Sequence, residues 1–193
     1  AYSSNGTSWT GLGTSIFSNS GINVAWNGSV WVAVGEGTNN SIAYSSDGTS
    51  WTGVDSTSLI FSDGGNSVAW NGSMWVAVGD GTNSIAYSSN GTSWTGLGTS
   101  IFSDGSKSVA WNSSSNMWVA VGQGTNSIAY SSNGTSWTGV VDSSLIFSDG
   151  GYNVAWNGSM WVATGVGTNS IAYSSNGTSW TGVDSTSLIF SDG

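Results

Sequence analysis

Short apolar runs alternate with polar, glycine-rich turns along the whole chain. In one stretch, NSVAWNG (66–72) and SMWVAVG (73–79) are β-rich runs joined by a hairpin signal at Asn71–Gly72. DGTN (80–83) is a turn, and SIAYSS (84–89) and TSWTG (92–96) form a second hairpin around Asn90–Gly91. A longer connection, LGTSIFSDGSKS (97–108), leads onward. The pattern predicts four short strands, A to D. In strand B, Trp75 and Ala77 point one way while Met74, Val76 and Val78 point the other. Both faces are apolar, as in a strand sandwiched between neighbouring sheets. In strand C, Ile85 and Tyr87 alternate with Ala86 and Ser88, and strand D holds Trp94 amid Ser, Thr and Gly. Polarity therefore rises from B towards D. No stretch sustains a helical period, and glycine recurs too often for helix.

The unit repeats. AYSSNGTSWTG at Ala1 returns almost unchanged at Ala43, Ala86, Ala129 and Ala172, at spacings of 42, 43, 43 and 43 residues. Repeats of this length with four strands each predict propeller blades, which bury their faces only against neighbours. The expected fold is all-β, a propeller-type array in a single domain over residues 1–193, with four full blades plus a C–D half-blade. A linear β-solenoid fits two tight hairpins per unit poorly. An Ile-Phe pair recurs in each long connection (Ile16–Phe17, Ile60–Phe61, Ile101–Phe102, Ile146–Phe147, Ile189–Phe190) and is expected to staple the blade edge. Five C–D hairpins stand against four A–B hairpins, at about 22–35, 66–79, 108–122 and 152–165. The unmatched half-blade leaves three readings: a fifth blade that is only half-built, a partner chain that fills it, or a chain excerpted from a longer array. The last two are favoured together, because unpaired edges favour association.

Charge narrows the partners. Ten acidic residues stand against one lysine, Lys107, with no arginine or histidine, for a net charge of −9. Nothing here neutralises phosphate, so neither nucleic acid nor an anionic membrane is an expected partner. No apolar run approaches the roughly 18 residues that cross a bilayer, so membrane insertion is not expected. Cysteine and proline are absent, while 13 Trp, 6 Tyr and 5 Phe spread through the chain, a load that ordered β structure carries and disorder does not. No signal peptide or initiator Met is visible, which suggests a mature or excised piece.

The segment SSNGTSW (3–9) and its copies resemble the Asp-box, found between the third and fourth strands of sialidase-like propellers. The family pattern is Ser/Thr, any residue, Asp, any residue, Gly, two residues and an aromatic. This chain has Asp only at Asp47, with Asn5, Asn90, Asn133 and Asn176 elsewhere, and is one residue shorter before the Trp. The resemblance implies a propeller and a structural turn. The family's enzymes hold a carboxylated sugar with an arginine cluster and use a Tyr nucleophile with acidic partners. This chain has no arginine, and strand packing accounts for Tyr2, Tyr44, Tyr87, Tyr130 and Tyr173.

Other chemistry is sparse. The acids are Glu36, Asp47, Asp55, Asp63, Asp80, Asp104, Asp142, Asp149, Asp184 and Asp192. Glu36 and Asp80 occupy a position where other copies carry Gln123 and Val166. Asp63, Asp104, Asp149 and Asp192 recur in FSDG, with Asn19 in the first copy; Asp-Gly is ordinary turn chemistry, and the alternative is a loop carboxylate that contacts sugar hydroxyls or Ca²⁺. Serine and threonine abound, but no ordinary base is present to activate them, so no catalytic residue, cofactor or resident metal is expected. Glycosylation sequons stand at Asn5, Asn27, Asn39, Asn71, Asn90, Asn112, Asn133, Asn157 and Asn176. Most coincide with hairpins, where Asn-Gly is expected to supply the positive φ angles of a type I′ turn. The tryptophans are expected to fill the space between blades; the alternative is stacking on saccharides. The sequence thus suggests a non-enzymatic extracellular or surface module that self-associates through the incomplete blade or neighbouring repeats. The alternative is a multivalent lectin-like propeller that binds glycans.

Overall fold

A computed structural model of the chain describes residues 1–54 and 59–183. The first sheet contains β1 (Ser20–Trp26), β2 (Trp31–Glu36), β3 (Ile42–Ser45) and β4 (Thr52–Gly53). The second contains β5 (Gly64–Trp70), β6 (Trp75–Asp80), β7 (Ile85–Ser88) and β8 (Thr95–Gly96). The third contains β9 (Ser106–Asn112), β10 (Met117–Gly122), β11 (Ile128–Ser131) and β12 (Thr138–Gly139). After a single helical turn, α1 (Ser143–Ile146), the fourth contains β13 (Gly150–Trp156), β14 (Trp161–Val166), β15 (Ile171–Ser174) and β16 (Thr181–Gly182). In each sheet the strands pair antiparallel in chain order. Ahead of them, a bridge between Tyr2 and Thr10 marks the leading C–D hairpin. This is the expected all-β array of blade-like sheets.

The two faces of the inner second strands, β6 and β10, bury in different interfaces. Trp75, Ala77 and Ala86 pack with Val32, Val34 and Ile42 of the first sheet. Val76, Val78 and Ile85 pack with Trp118, Ala120 and Ala129 of the third. Val119, Val121 and Ile128 meet Trp161, Ala163 and Ala172 of the fourth in the same way. Each interface therefore sets a Val-Val-Ile face against a Trp-Ala-Ala face, large against small, which fills the gap without strain. Phe61, Phe102 and Phe147 are buried in these same interfaces, where the sequence expects edge staples. Ile189 and Phe190 lie outside the described residues. Burying one such side chain contributes about 1.5–3 kcal/mol. First strands of successive sheets also touch (β1 with β5, β5 with β9, β9 with β13), so the sheets converge there and fan outward to the short, wetter fourth strands.

The turns correct one expectation. Among the described residues only Asn116 and Asp142 have positive φ outside glycine, so no sequon asparagine adopts a type I′ conformation. In the A–B hairpin of the second sheet, Trp70 pairs with Trp75 across a four-residue loop. Asn71 Oδ1 accepts the N–H groups of Ser73 and Met74 at 2.8 and 2.7 Å. The asparagine works through its side chain, and only the glycine turns left-handed.

Candidate binding surfaces

The most repeated local structure is the C–D loop. Asn90 Oδ1 accepts N–H groups from Thr92 and Ser93, both at 2.9 Å. Ser88 Oγ accepts the N–H of Asn90 at 3.2 Å and of Gly91 at 2.9 Å, and donates to Asn90 Oδ1 at 3.1 Å. Trp94 Nε1 then donates to the Gly91 carbonyl at 3.0 Å. The same bonds recur around Asn5, Asp47, Asn133 and Asn176. At Asp47 they are charge-assisted: the N–H groups of Ser50 and then Thr49 hold its carboxyl well below the usual carboxylate range. These loops consume their own polar groups and leave no convergent set of donors for a ligand.

The recurring FSDG carboxylates are exposed: Asp63, Asp104 and Asp149 lie at the surface, and Asp192 lies outside the described residues, as do Asp55 and Asp184. Their backbone N–H groups bind the carbonyls of Asp80, Gln123 and Val166, which ties each connection to the end of its own second strand. Among the described residues no three His, Cys, Asp or Glu side chains come together as metal ligands. Of the sequon asparagines, Asn5, Asn39, Asn90, Asn133, Asn157 and Asn176 are exposed, Asn27 and Asn71 are half-buried, and Asn112 is buried.

Most of the tryptophan set lies in the core clusters or packs partly buried against them. Trp75, Trp118 and Trp161 are fully buried. Trp70 lies 5.0 Å from Trp75, ring centre to ring centre, and the other three sheets repeat that pair.

Two aligned positions carry a different residue in every sheet, against near-identity elsewhere. One comprises Ile22, Asn66, Lys107 and Tyr152; the other comprises Glu36, Asp80, Gln123 and Val166. The first sits where the A–B register slips, between Gly21 and Asn23 in the first sheet and at the matching place in the others. The second ends the second strand, or in the third sheet follows it directly as Gln123. They meet at one rim of the array: Asp80 takes hydrogen bonds from Asn66 at 2.9 Å and from Lys107 of the next sheet at 2.8 and 3.1 Å. Variation at the second position is visible in the sequence. The first becomes conspicuous only once the bulge sets it beside the other.

The outer sheets are open. Val24, equivalent to Val68, Val109 and Val154, is 52 % exposed where those are 5 %. At the other end Val162 is 39 % exposed, whereas Val32, Val76 and Val119 are fully buried. Trp9 of the leading hairpin is 64 % exposed, while its equivalent Trp94 packs on the cluster between the first two sheets.

No family model matches the chain, and no curated protein does. Solved structures do. The chain is similar to a GH74 enzyme of Niastella koreensis (TM-score 0.59, 23 % identity), covering 84 % of this chain and 24 % of that one. It is similar to a chain of a nidogen/laminin complex (TM-score 0.61, 13 % identity, 82 % of this chain and 61 % of that one). A computationally designed protein, Ika4, matches with a TM-score of 0.59 at 10 % identity, over 81 % of this chain and 91 % of that one. The chain thus spans about a quarter of the first neighbour and three fifths of the second. At these identities the likeness defines the fold class, an open β-propeller array.

Proposed function

We propose that the chain is a non-catalytic structural and interaction module, working outside the cell or on a particle or cell surface, whose copies join head to tail. One observation carries this reading. Trp9 at one end and Val162 at the other are exposed, although their equivalents Trp94 and Val32 are packed in the interface between the first two sheets. The leading hairpin of one copy seats on the fourth sheet of another, as the second sheet seats on the first. Such a contact is heterologous, giving a ring if the rotation closes and a filament if it does not. Concentration-dependent sedimentation tests it.

The surface location is supported by sequons on exposed loops, and the Ser–Asn/Asp loop geometry supports kinship with Asp-box propellers. A multivalent glycan-binding propeller is the alternative. It has less support, since in the Trp70–Trp75 type of pair the rings pack tilted against each other and Trp75 is fully buried. Binding on a glycan array that survives loss of self-association would favour it.

A further inference from the structure

We infer that the A–B hairpins of the first, second and fourth sheets carry a modification site, at which Asn27, Asn71 and Asn157 lose ammonia spontaneously and become aspartate or isoaspartate. The reaction needs only this chain and water. The backbone nitrogen of Gly72, once deprotonated, attacks Asn71 Cγ; a C–N bond forms there and the Cγ–Nδ2 bond breaks. The glycine proton passes through water to the leaving ammonia. A second water then opens the resulting five-membered succinimide at either carbonyl. Glycine favours the attack, because no β-carbon shields its nitrogen. The hairpin supplies the rest. Asn71 Oδ1 accepts the N–H groups of Ser73 and Met74 at 2.8 and 2.7 Å and the Ser73 hydroxyl at 3.1 Å. Donors aimed at that oxygen polarise Cγ and stabilise the negative charge that gathers during attack. Gly72 is exposed, and its N–H meets no acceptor among the described residues. Asn27 with Ser29 and Val30, and Asn157 with Ser159 and Met160, repeat the arrangement beside exposed Gly28 and Gly158.

The C–D loops hold the same dipeptide in protected form. The side-chain oxygens of Asn90, Asn133 and Asn176 are polarised in the same way, each by two backbone N–H groups. The glycine nitrogen, however, is engaged. Gly91, Gly134 and Gly177 donate their N–H groups to the hydroxyls of Ser88, Ser131 and Ser174 at 2.9, 2.9 and 2.8 Å, and all three glycines are buried. An N–H held by an acceptor away from water keeps its proton. In the third sheet the A–B asparagine, Asn112, is buried and followed by serine. The fold therefore divides one dipeptide into a reactive set and a protected set. Conversion adds a negative charge, and isoaspartate inserts an extra backbone atom into the loop across which Trp70 pairs with Trp75. It also removes the acceptor amide of three sequons, so at these asparagines the modification and glycosylation exclude one another. Nothing in this chemistry depends on head-to-tail joining.

The test incubates unglycosylated protein at mildly alkaline pH and follows each asparagine by peptide mass spectrometry, which reads the conversion of amide to acid site by site. Asn27, Asn71 and Asn157 are expected to convert about tenfold faster than Asn90, Asn133 and Asn176, the rate factor that one hydrogen bond commands. In guanidinium chloride both sets become ordinary Asn-Gly dipeptides and should react at equal rates. Ser88→Ala frees the Gly91 N–H and should speed Asn90 alone, with Asn133 staying slow as the mark of an intact fold. Folded protein in which Asn71 stays intact, or in which Asn90 keeps pace with it, would overturn the inference. So would a difference that persists in guanidinium chloride, which would trace it to sequence and not to the fold. A folded Ser88→Ala variant whose Asn90 remains slow would overturn the protecting role of the serine bond.

Discussion

Gly91 lies tight against the indole nitrogen of Trp75: a β-carbon at Gly91 would stand 3.1 Å from Trp75 Nε1 and 3.0 Å from Val32 Cγ2, so both neighbours would have to give by a few tenths of an ångström. The glycine has φ +79°, and its carbonyl is held by the indole of Trp94. One residue therefore joins the loop, the core of its own sheet and the flank of the preceding sheet. Trp75 Nε1 is buried with no hydrogen-bond partner among the described residues, and Trp118 and Trp161 repeat this beside Gly134 and Gly177. An unpaired indole N–H is costly, and the area that the ring buries offsets it.

Gly91→Ala should therefore cost more than Gly6→Ala. Gly6 has nearly the same φ, +75°, but open space where its β-carbon would go. The conformational cost of about 1–2 kcal/mol is common to both, and crowding adds about 1–3 kcal/mol only at Gly91. Urea denaturation of the two variants measures the difference; equal losses would show that Trp75 and Val32 yield freely.

Asp47 makes one of the five loops sensitive to acid. Its carboxyl is lowered in the folded chain, so its contribution is fully present above the unfolded value of about 4 and disappears as the pH falls towards the folded value. Asn at the same place in the other loops accepts the same N–H groups without titrating. Asp47→Asn should leave the melting temperature at neutral pH nearly unchanged and reduce its fall below about pH 4. Melting curves at neutral pH and at about pH 2.5 test this.

Asn83 ties the chain where two connections pass. Its Nδ2 donates to the Ile60 carbonyl at 2.7 Å and its Oδ1 accepts the Gly98 N–H at 2.8 Å. Asn40, Asn126 and Asn169 make the equivalent donation to Ile16, Ile101 and Ile146. Asn83→Asp keeps the shape and the acceptor but removes the donor and sets a carboxylate against a carbonyl. A loss of about 1–3 kcal/mol is expected in urea denaturation at neutral pH, with partial recovery on acidification as the carboxyl regains a proton.

The sequence makes the repeat and its four strands legible because apolar alternation and glycine-rich turns recur at a constant spacing. It even separates the faces of β6, since Trp75 and Ala77 must bury away from Val76 and Val78 in a two-sided strand. The turn chemistry misleads. Asn-Gly signals a type I′ hairpin as a dipeptide, whereas Asn90 is fixed by Ser88 before it and by Thr92 and Ser93 after it. The short helix α1 gives no periodic signal, being one turn long. The Asp80–Lys107 pair is hidden for a different reason. It joins residues in different sheets, and nothing local marks Lys107 as the residue that reaches back.

Head-to-tail joining is tested most directly by sedimentation equilibrium on two blocked variants and their mixture. Trp9→Asp disables the leading hairpin, and Val162→Asp disables the open face of the fourth sheet; both side chains are exposed, so neither change should unfold the chain. The account predicts that the wild-type chain sediments as a concentration-dependent oligomer and that each variant alone is monomeric. An equimolar mixture should form a heterodimer through the one intact pair of faces. A wild-type chain that stays monomeric at high concentration, or variants that associate alone as well as they do mixed, would contradict it.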